Sequence, residues 1–423
     1  MGGQVDLSQV KREIPAASML KYVWRLKRFV HWQVLKNTPR AQEIARARIF
    51  VYEELPSTQT LISADKVNFF KSCDIVVAIH QSAGYGRKTR RWQSTPGASL
   101  TMSLCLTGLT ERHVPIFYTQ LIGLGLIESL RYLSTCSATE IATALAAIKK
   151  LPGLLAINKL GELGEGSLAG VPLATQSSSL PSPLGCTLKW PNDVLVNNKK
   201  IAGILIHRSH LAGEASSSGN NNSTDTSTAT IITDVENNDK KEDSRRLNPA
   251  TTTSKLVIGV GLNVLEAAEE LCRYDRLNDL ANANEQSNDH KGTTSFSYET
   301  GRYVSVWCHL RVLLEKFFLL ETLHLRREWG LIVDQWRKYS DLLGREFVLG
   351  ERATGNCDLW GRWRVLAITG RGSVLLEQVE AEVNETSHIA LSTPEANFKK
   401  NSNKDKGAPK RMEWKLADLE WND

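Results

Sequence analysis

No apolar run in this chain reaches the roughly 20 residues that a bilayer-spanning helix requires, so a helical membrane anchor is not expected. The first residues, MGGQVD, lack a signal-peptide core, and Asp6 stands where a myristoylation signal needs Ser or Thr. Cysteine is sparse. The seven cysteines, at 73, 105, 136, 186, 272, 308 and 357, are scattered without a CxxC pair. That spacing excludes a disulfide framework or a zinc ribbon and reads as reduced, inert thiols of a cytosolic or organellar compartment. Of the nine histidines only His207 and His210 are close together, and no Cys, Asp or Glu beside them completes a metal set. Strong charge of one sign is also lacking. The net +6, from 52 basic and 46 acidic side chains, suits anionic ligands such as nucleotides but is too mild to mark a nucleic-acid binder. Neither GxGxxG nor GxxxxGK[ST] occurs, and there is no internal repeat.

What is present is a chain of 423 residues, long enough for two or three domains, with the 41% hydrophobic and 23% charged content of a soluble globular protein. Composition divides it into structured islands and tracts unable to build a core. Residues 212–254, and more briefly 281–298 and 384–410, are polar and of low complexity, and 137–185 mixes small apolar residues with Gly, Ser and Pro. These tracts are expected to be disordered insertions, which a stable scaffold tolerates because loop-closure entropy grows slowly with length. Among the islands, short apolar runs at 74–80, 99–107, 201–207 and 255–261 predict strands, and helical spacing predicts helices over 118–132, 301–324 and 326–340. Residues 344–380 turn to short β runs divided by Gly-containing turns. The expected class is α+β with a small all-β domain appended. Residues 19–36 are basic, aromatic and free of acids, a composition with transit-peptide flavour that reads more simply as an amphipathic surface helix.

Three segments can carry chemistry. In Gly84–Trp92, GYGRKTRRW, two glycines let backbone amides approach a ligand, while Arg87, Lys88, Arg90 and Arg91 supply four positive charges without an acid. A solvated basic loop would carry the same charge; the strand before it and the Trp after it favour a ligand. In Lys189–His207, KWPNDVLVNNKKIAGILIH, a polar turn sits between apolar segments and NNKK makes a hairpin turn, so that Lys200 opens a strand beside Ile201 and Gly203. There a compact ammonium can pair with a phosphate or carboxylate, although most turn lysines lie on the surface. In Val257–Val264, VIGVGLNV, the glycines make room, and Asn263 offers an amide at a strand end where a satisfied core Asn would read identically.

In this order the three segments resemble the biotin–protein ligase family, whose pattern is a Gly/Arg loop followed by Trp, then KWPND…K-[IL]-x-G-[IL]-L, then G-x-G-[IL]-N. Pro56–Thr60, PSTQT, is similar to that family's S-T-N/Q turn, and Gln81 stands where the family has Gln. The resemblance covers roughly residues 48–136, 186–211, 255–280 and 301–380. It implies an α+β fold with a mixed-sheet biotin/lipoate ligase-like catalytic domain over 48–340, interrupted by the insertions. Before it would lie a basic N-terminal extension, 1–47, and after it an SH3-like β domain, 341–423. It further implies ATP-dependent activation of biotin to its adenylate and transfer to a lysine of the biotin carboxyl carrier domains of carboxylases, with Mg²⁺ as the metal. Ser57, Thr58, Gln59 and Gln81 would contact the ureido ring of biotin. Gly84, Tyr85, Gly86 and Arg87 would line its chain and the adenylate phosphate. Arg90 and Trp92 would order over pyrophosphate and adenine, with Asn192 and Asn263 at the nucleotide. Asp193 would lie near Mg²⁺ or the incoming amine, and Lys200 would bridge the biotin carboxylate and the α-phosphate.

This chain departs from the family's G-R-G-R-x-G-R, with Tyr85 in place of the first Arg and Thr89 in place of a Gly. The lost charge puts in question how firmly an adenylate is held. A lipoate or octanoyl ligase of the same fold family is the competing enzyme, but it is not expected to combine KWPND with the Gly/Arg loop. A non-catalytic, biotin-responsive DNA-binding regulator would need a winged helix for which residues 1–48 are too short, and a partner-binding scaffold would show no turnover. The expected location is the cytoplasm, with the mitochondrion as the alternative raised by the basic N-terminal segment, and no specific nucleic acid or membrane partner is expected.

Overall fold

The computed structural model describes residues 20–65, 68–87, 90–109, 115–151, 184–210, 254–281, 292–349, 361–369, 373–379 and 411–414. Eight strands form one mixed sheet: β1 (Leu20–Arg25), β2 (Arg48–Leu55), β3 (Ile75–Gln81), β4 (Ser99–Leu109), β5 (Cys186–Lys189), β6 (Asp193–Val196), β7 (Lys199–His210) and β8 (Ser254–Asn263). Their order is β1-β2-β3-β4-β8-β7-β6-β5. Only β2 and β3 run parallel; the other neighbours are antiparallel. Helices α1 (Thr58–Ser63), α2 (Pro115–Thr135), α3 (Ala138–Lys149), α4 (Ala268–Ala281), α5 (Phe296–Thr300), α6 (Val306–Leu325) and α7 (Trp329–Tyr339) complete the fold.

Residue alternation decides which face of the sheet does what. Along β4, Leu100, Met102, Leu104 and Leu106 enter the main core, where they meet Leu121, Leu124 and Ile127 of α2 and Leu310, Leu314 and Phe317 of α6. The residues between them, Ser99, Thr101 and Ser103, are buried on the other face and all hydrogen-bonded. Strand β8 repeats the division: Leu256, Ile258, Val260 and Leu262 join the core. Gly259, Gly261 and Asn263 therefore lie on the opposite face, against which α1 is held through Gln59.

The N-terminal segment corrects two expectations. Residues 20–47 are neither an extension outside the catalytic fold nor a surface helix. They supply the edge strand β1 and three short helical stretches, Leu26–Phe29, Trp32–Leu35 and Ala41–Arg46. Trp24, Leu26, Phe29 and Leu35 are buried, and Trp24 packs edge-on against Trp307 of α6 with ring centroids 5.1 Å apart. Arg40 closes the junction: its Nε donates to Glu321 Oε1 at 2.7 Å, and the same oxygen accepts from Tyr118 at 3.1 Å. Residues 1–19, where the acid-bearing start of the chain lies, are outside the described residues.

At the C-terminus, β9 (Glu346–Leu349), β10 (Gly361–Ile368), β11 (Val374–Gln378) and β12 (Arg411–Trp414) form an antiparallel sheet in the order β12-β11-β10-β9. The small all-β unit expected there is thus present, and β12 joins it from beyond the polar tract. The tract 137–185 holds an unexpected helix, α3, begun by a capping box in which Ser137 and Glu140 satisfy each other's backbone amides. Most of 281–298, 212–254 and 384–410 lies outside the described residues. Among the described residues no helix is long and apolar enough to cross a membrane. The described cysteines are all free, and burial holds the Cys105 and Cys186 thiols up at about 12, so neither is a reactive thiolate.

Candidate active site

Glycine makes the floor. Gly203 on β7 and Gly261 on β8 are direct cross-strand partners, and Gly259 pairs with Leu205 one step along. Without Cβ atoms these positions leave a trough across the sheet, which two side chains enter. A Cβ on Gly261 would lie 2.3 Å from the Trp92 indole, and one on Gly259 would lie 2.6 Å from Gln59 Oε1. Trp92 therefore rests flat on the backbone of β8, a contact that the residue pattern hinted at only through its glycines.

One end of the trough is the Ser57–Thr58–Gln59 turn that opens α1. Gln81 Oε1, at the end of β3, accepts from the Thr58 amide at 2.8 Å and from Thr58 Oγ1 at 3.1 Å. Ser103 ties the turn to β4 by contacting Thr58 Oγ1 at 2.9 Å and donating to Gln59 Oε1 at 3.0 Å. Gln59 Nε2 donates to Val257 O at 2.9 Å. Its amide is thus spent on the sheet, so Gln59 positions the turn, while Ser57, Thr58 and Gln81 form the turn's polar surface. Ser103 was not anticipated as part of this arrangement, although the alternation of Ser99, Thr101 and Ser103 in SLTMSLCLT carries the signal.

The loop from Gly84 to Trp92 folds as a hairpin: Trp92 N donates to Gly84 O at 2.9 Å, and Gly86 N to Arg90 O at 2.7 Å. Gly84 is required by close approach, since a Cβ there would meet Trp92 O and Gln81 Nε2 at 3.0 Å. Arg87 is half-buried and Arg90 exposed; Lys88 and Thr89 lie outside the described residues.

The other end of the trough is built by the WPND turn. Trp190 is buried, its amide donates to Asp341 Oδ1 at 2.8 Å, and Pro191 O accepts from Gln120 at 2.9 Å. Asn192 Nδ2 donates to Ile204 O at 2.9 Å. These residues brace the hairpin, and Asp193 is the member that faces the trough. The NNKK turn has both asparagines in the left-handed region, Asn197 at φ 50° and Asn198 at φ 63°, as a tight two-residue hairpin needs. Lys200 follows, with Nζ 2.8 Å from Asp193 Oδ1 and 5.8 Å from the centre of the Trp92 ring. The Asp193 oxygen has no aligned hydrogen bond, so the contact is an ion pair held by charge.

Asn263 closes this end. Its Nδ2 donates to Thr294 O at 3.0 Å, whereas its Oδ1, like Trp92 Nε1, is buried without a hydrogen-bond partner among the described residues. Unmet buried polar atoms on one face mark places a polar ligand can satisfy. Behind Asn263, Ser99 donates to the buried Glu266 carboxyl, and Ser295 Oγ donates to Glu266 O at 2.9 Å. Burial pushes the Glu266 carboxyl up to about 7. Among the described residues no three His, Cys, Asp or Glu side chains gather to hold a metal ion by themselves.

The described residues thus form a glycine-floored trough on a mixed sheet, with a polar turn at one end and a paired lysine at the other. Residues 51–217 match the family described as Biotin/lipoate A/B protein ligase family. Several solved structures are similar. One is a mutant biotin protein ligase from Aquifex aeolicus in complex with biotin, at 17% identity, 78% of this chain, 92% of that chain and TM-score 0.43. Another is a biotin protein ligase from Leishmania major in complex with biotinyl-5-AMP, at 18%, 78%, 94% and 0.38. A third is a biotin acetyl coenzyme A carboxylase synthetase from Helicobacter pylori with bound biotinylated ATP, at 16%, 77%, 94% and 0.33. No curated protein matches the chain.

Proposed function

We propose that this chain is a biotin–protein ligase, which couples biotin to the α-phosphate of ATP with release of pyrophosphate, giving biotinyl-5'-AMP, and then transfers the biotinyl group to a lysine of a biotin carboxyl carrier domain with release of AMP. The observation that carries the choice of biotin over lipoate is the Ser57–Thr58–Gln81 turn. With Gln81 Oε1 taken by Thr58, the remaining amide N–H₂ and the hydroxyls offer both donors and acceptors to one end of the trough. A ureido ring needs both; the dithiolane of lipoate needs neither, and leaving such groups unmatched opposes its binding.

The chemistry then follows from charge. A carboxylate attacks a phosphate that is itself negative, and Lys200 is the cation available at that end of the trough, half-buried between Asp193 and Trp92. On this reading Lys200 exchanges Asp193 for the reacting oxygens, and Arg87 and Arg90 face the phosphates from the loop. Mg²⁺ accompanying ATP would further neutralise the phosphates, with Asp193 as the carboxylate positioned to hold it through few protein ligands. In the separate transfer step, after pyrophosphate and its metal have left, Asp193 would be free to take the proton of the incoming lysine amine. Trp92 Nε1 and Asn263 Oδ1 are matched to the donors and acceptors of a purine.

Purified protein with ATP and Mg²⁺ should exchange pyrophosphate with biotin and not with lipoate or octanoate, and a carrier domain should gain the mass of one biotin on one lysine. Exchange driven by lipoate alone would make the chain a lipoate ligase. Salt-resistant, sequence-dependent binding of duplex DNA without turnover would make it a regulator.

A further inference from the structure

The Tyr85 ring points out of the loop onto the sheet. It stacks on His207 of β7, with centroids 6.1 Å apart and planes 30° apart, and its hydroxyl accepts from Thr60 Oγ1 of α1 at 3.4 Å. Its backbone bridges to Arg91, so the ring is anchored at the neck of the hairpin that presents Arg87 and Arg90. One side chain thus ties the loop to two elements that flank the trough. We propose that Tyr85 is a positioning residue that docks the Gly/Arg loop on β7 and α1 before any ligand arrives, and so sets how long the adenylate stays bound. The consequence for the adenylate rests on the ligase reading; the docking itself rests on geometry alone.

Three features support it. Burial depresses the His207 pKa, so the imidazole is neutral near pH 7 and meets Tyr85 as a ring rather than as a hydrated cation. The neck of the hairpin is closed by the chain's own backbone bonds, from Gly86 to Arg90 and from Gly84 to Trp92, so its shape does not depend on a bond to phosphate. The position is also the one at which this chain lacks the family's arginine. A loop held by a ring contact does not depend on ligand charge to stay ordered, so the departure exchanges an electrostatic grip on the adenylate for a pre-formed enclosure.

Limited trypsin digestion of the ligand-free full-length chain tests the docking, with new termini after Arg87, Arg90 and Arg91 followed by mass spectrometry so that cuts elsewhere do not count. Tyr85→Ala and His207→Ala should each speed cleavage at these sites by roughly two- to tenfold, the range expected for loss of an aromatic pair. Tyr85→Phe, which keeps the ring contact with His207 and loses the hydroxyl contact with Thr60, should cleave at a rate between those of wild type and Tyr85→Ala, and unchanged melting temperatures would separate loop release from general unfolding. Equal cleavage in wild type and Tyr85→Ala, with both folded, overturns the proposal. In the second arm, Tyr85→Ala should release biotinyl-adenylate faster than wild type by a similar factor. Wild-type chain that makes no adenylate while the cleavage difference holds would defeat the ligase reading and leave the docking standing.

Discussion

At the scale of single residues, Lys200 and Gly261 should fail in different ways. Lys200→Ala removes the cation at the end of the trough where the proposed reaction takes place and leaves Asp193 without its partner, so pyrophosphate exchange should fall by ~10²–10³, the loss typical of one preorganised electrostatic contact. Exchange at the wild-type rate would remove Lys200 from the reacting centre. Gly261→Ala leaves every charge in place but drives a methyl to 2.3 Å from the indole of Trp92. The indole must lift, so the KM for ATP should rise by roughly tenfold, as an overpacking cost of about 1–3 kcal/mol implies. Gly203→Ala, whose Cβ meets Trp92 at 3.2 Å, should do the same more mildly. If Gly203→Ala proved the more damaging, the trough would be misassigned. Residue types alone pointed to Lys200 and to the basic Gly84–Trp92 loop, because charge is visible in sequence, and the family resemblance added Asp193. They did not separate Gln59 from Thr58, since whether an amide faces a ligand or Val257 O depends on a strand almost two hundred residues away.

Between elements, a buried carboxyl sits at the joint of β4, β8 and the 292–297 segment, beside the apolar core that these elements share. Glu266 accepts from Ser99 and, through its backbone, from Ser295, and burial raises its pKa from the ordinary 4.5 to about 7. The folded chain therefore binds this proton more tightly than the unfolded chain. The resulting stability is full below about pH 4.5 and is lost as pH rises through about 7. Glu266→Gln keeps the shape without the titration. The melting temperature of wild type should fall relative to that variant between about pH 4.5 and 7 and run parallel above it. Parallel curves throughout would mean that Glu266 is paired or solvated. Strands and long helices were legible at this scale because each carries its own period, as in the alternation of β4. The N-terminal segment was not, because Trp24 and Arg40 are buried by partners on α6, nearly three hundred residues downstream, and no local pattern announces them.

For the molecule as a whole, the insertion between β7 and β8 is the plainest test of what the fold needs. His210 and Ser254 are paired across the two strands, so the ends of the tract 211–253 already meet. Replacing it with a short Asn-Gly turn should preserve pyrophosphate exchange and melting temperature, since a hairpin of that geometry needs no more. Loss of soluble protein would show that the tract belongs to the core. The excision should begin after His210 and end before Ser254, because β8 starts there.

The strand order also has a consequence in time. β4 and β8 are neighbours at the middle of the sheet, yet everything from residue 110 to residue 253 must be translated between them. At ~5–20 residues per second that is roughly 7 to 29 seconds in which β4 waits on the ribosome with one edge unpaired. The waiting strand carries Leu100, Met102, Leu104 and Leu106 on one side and the half-built trough on the other. Nascent chains should therefore engage chaperones until β8 emerges, and the excised variant, with its shorter wait, should give a larger soluble fraction when expressed rapidly.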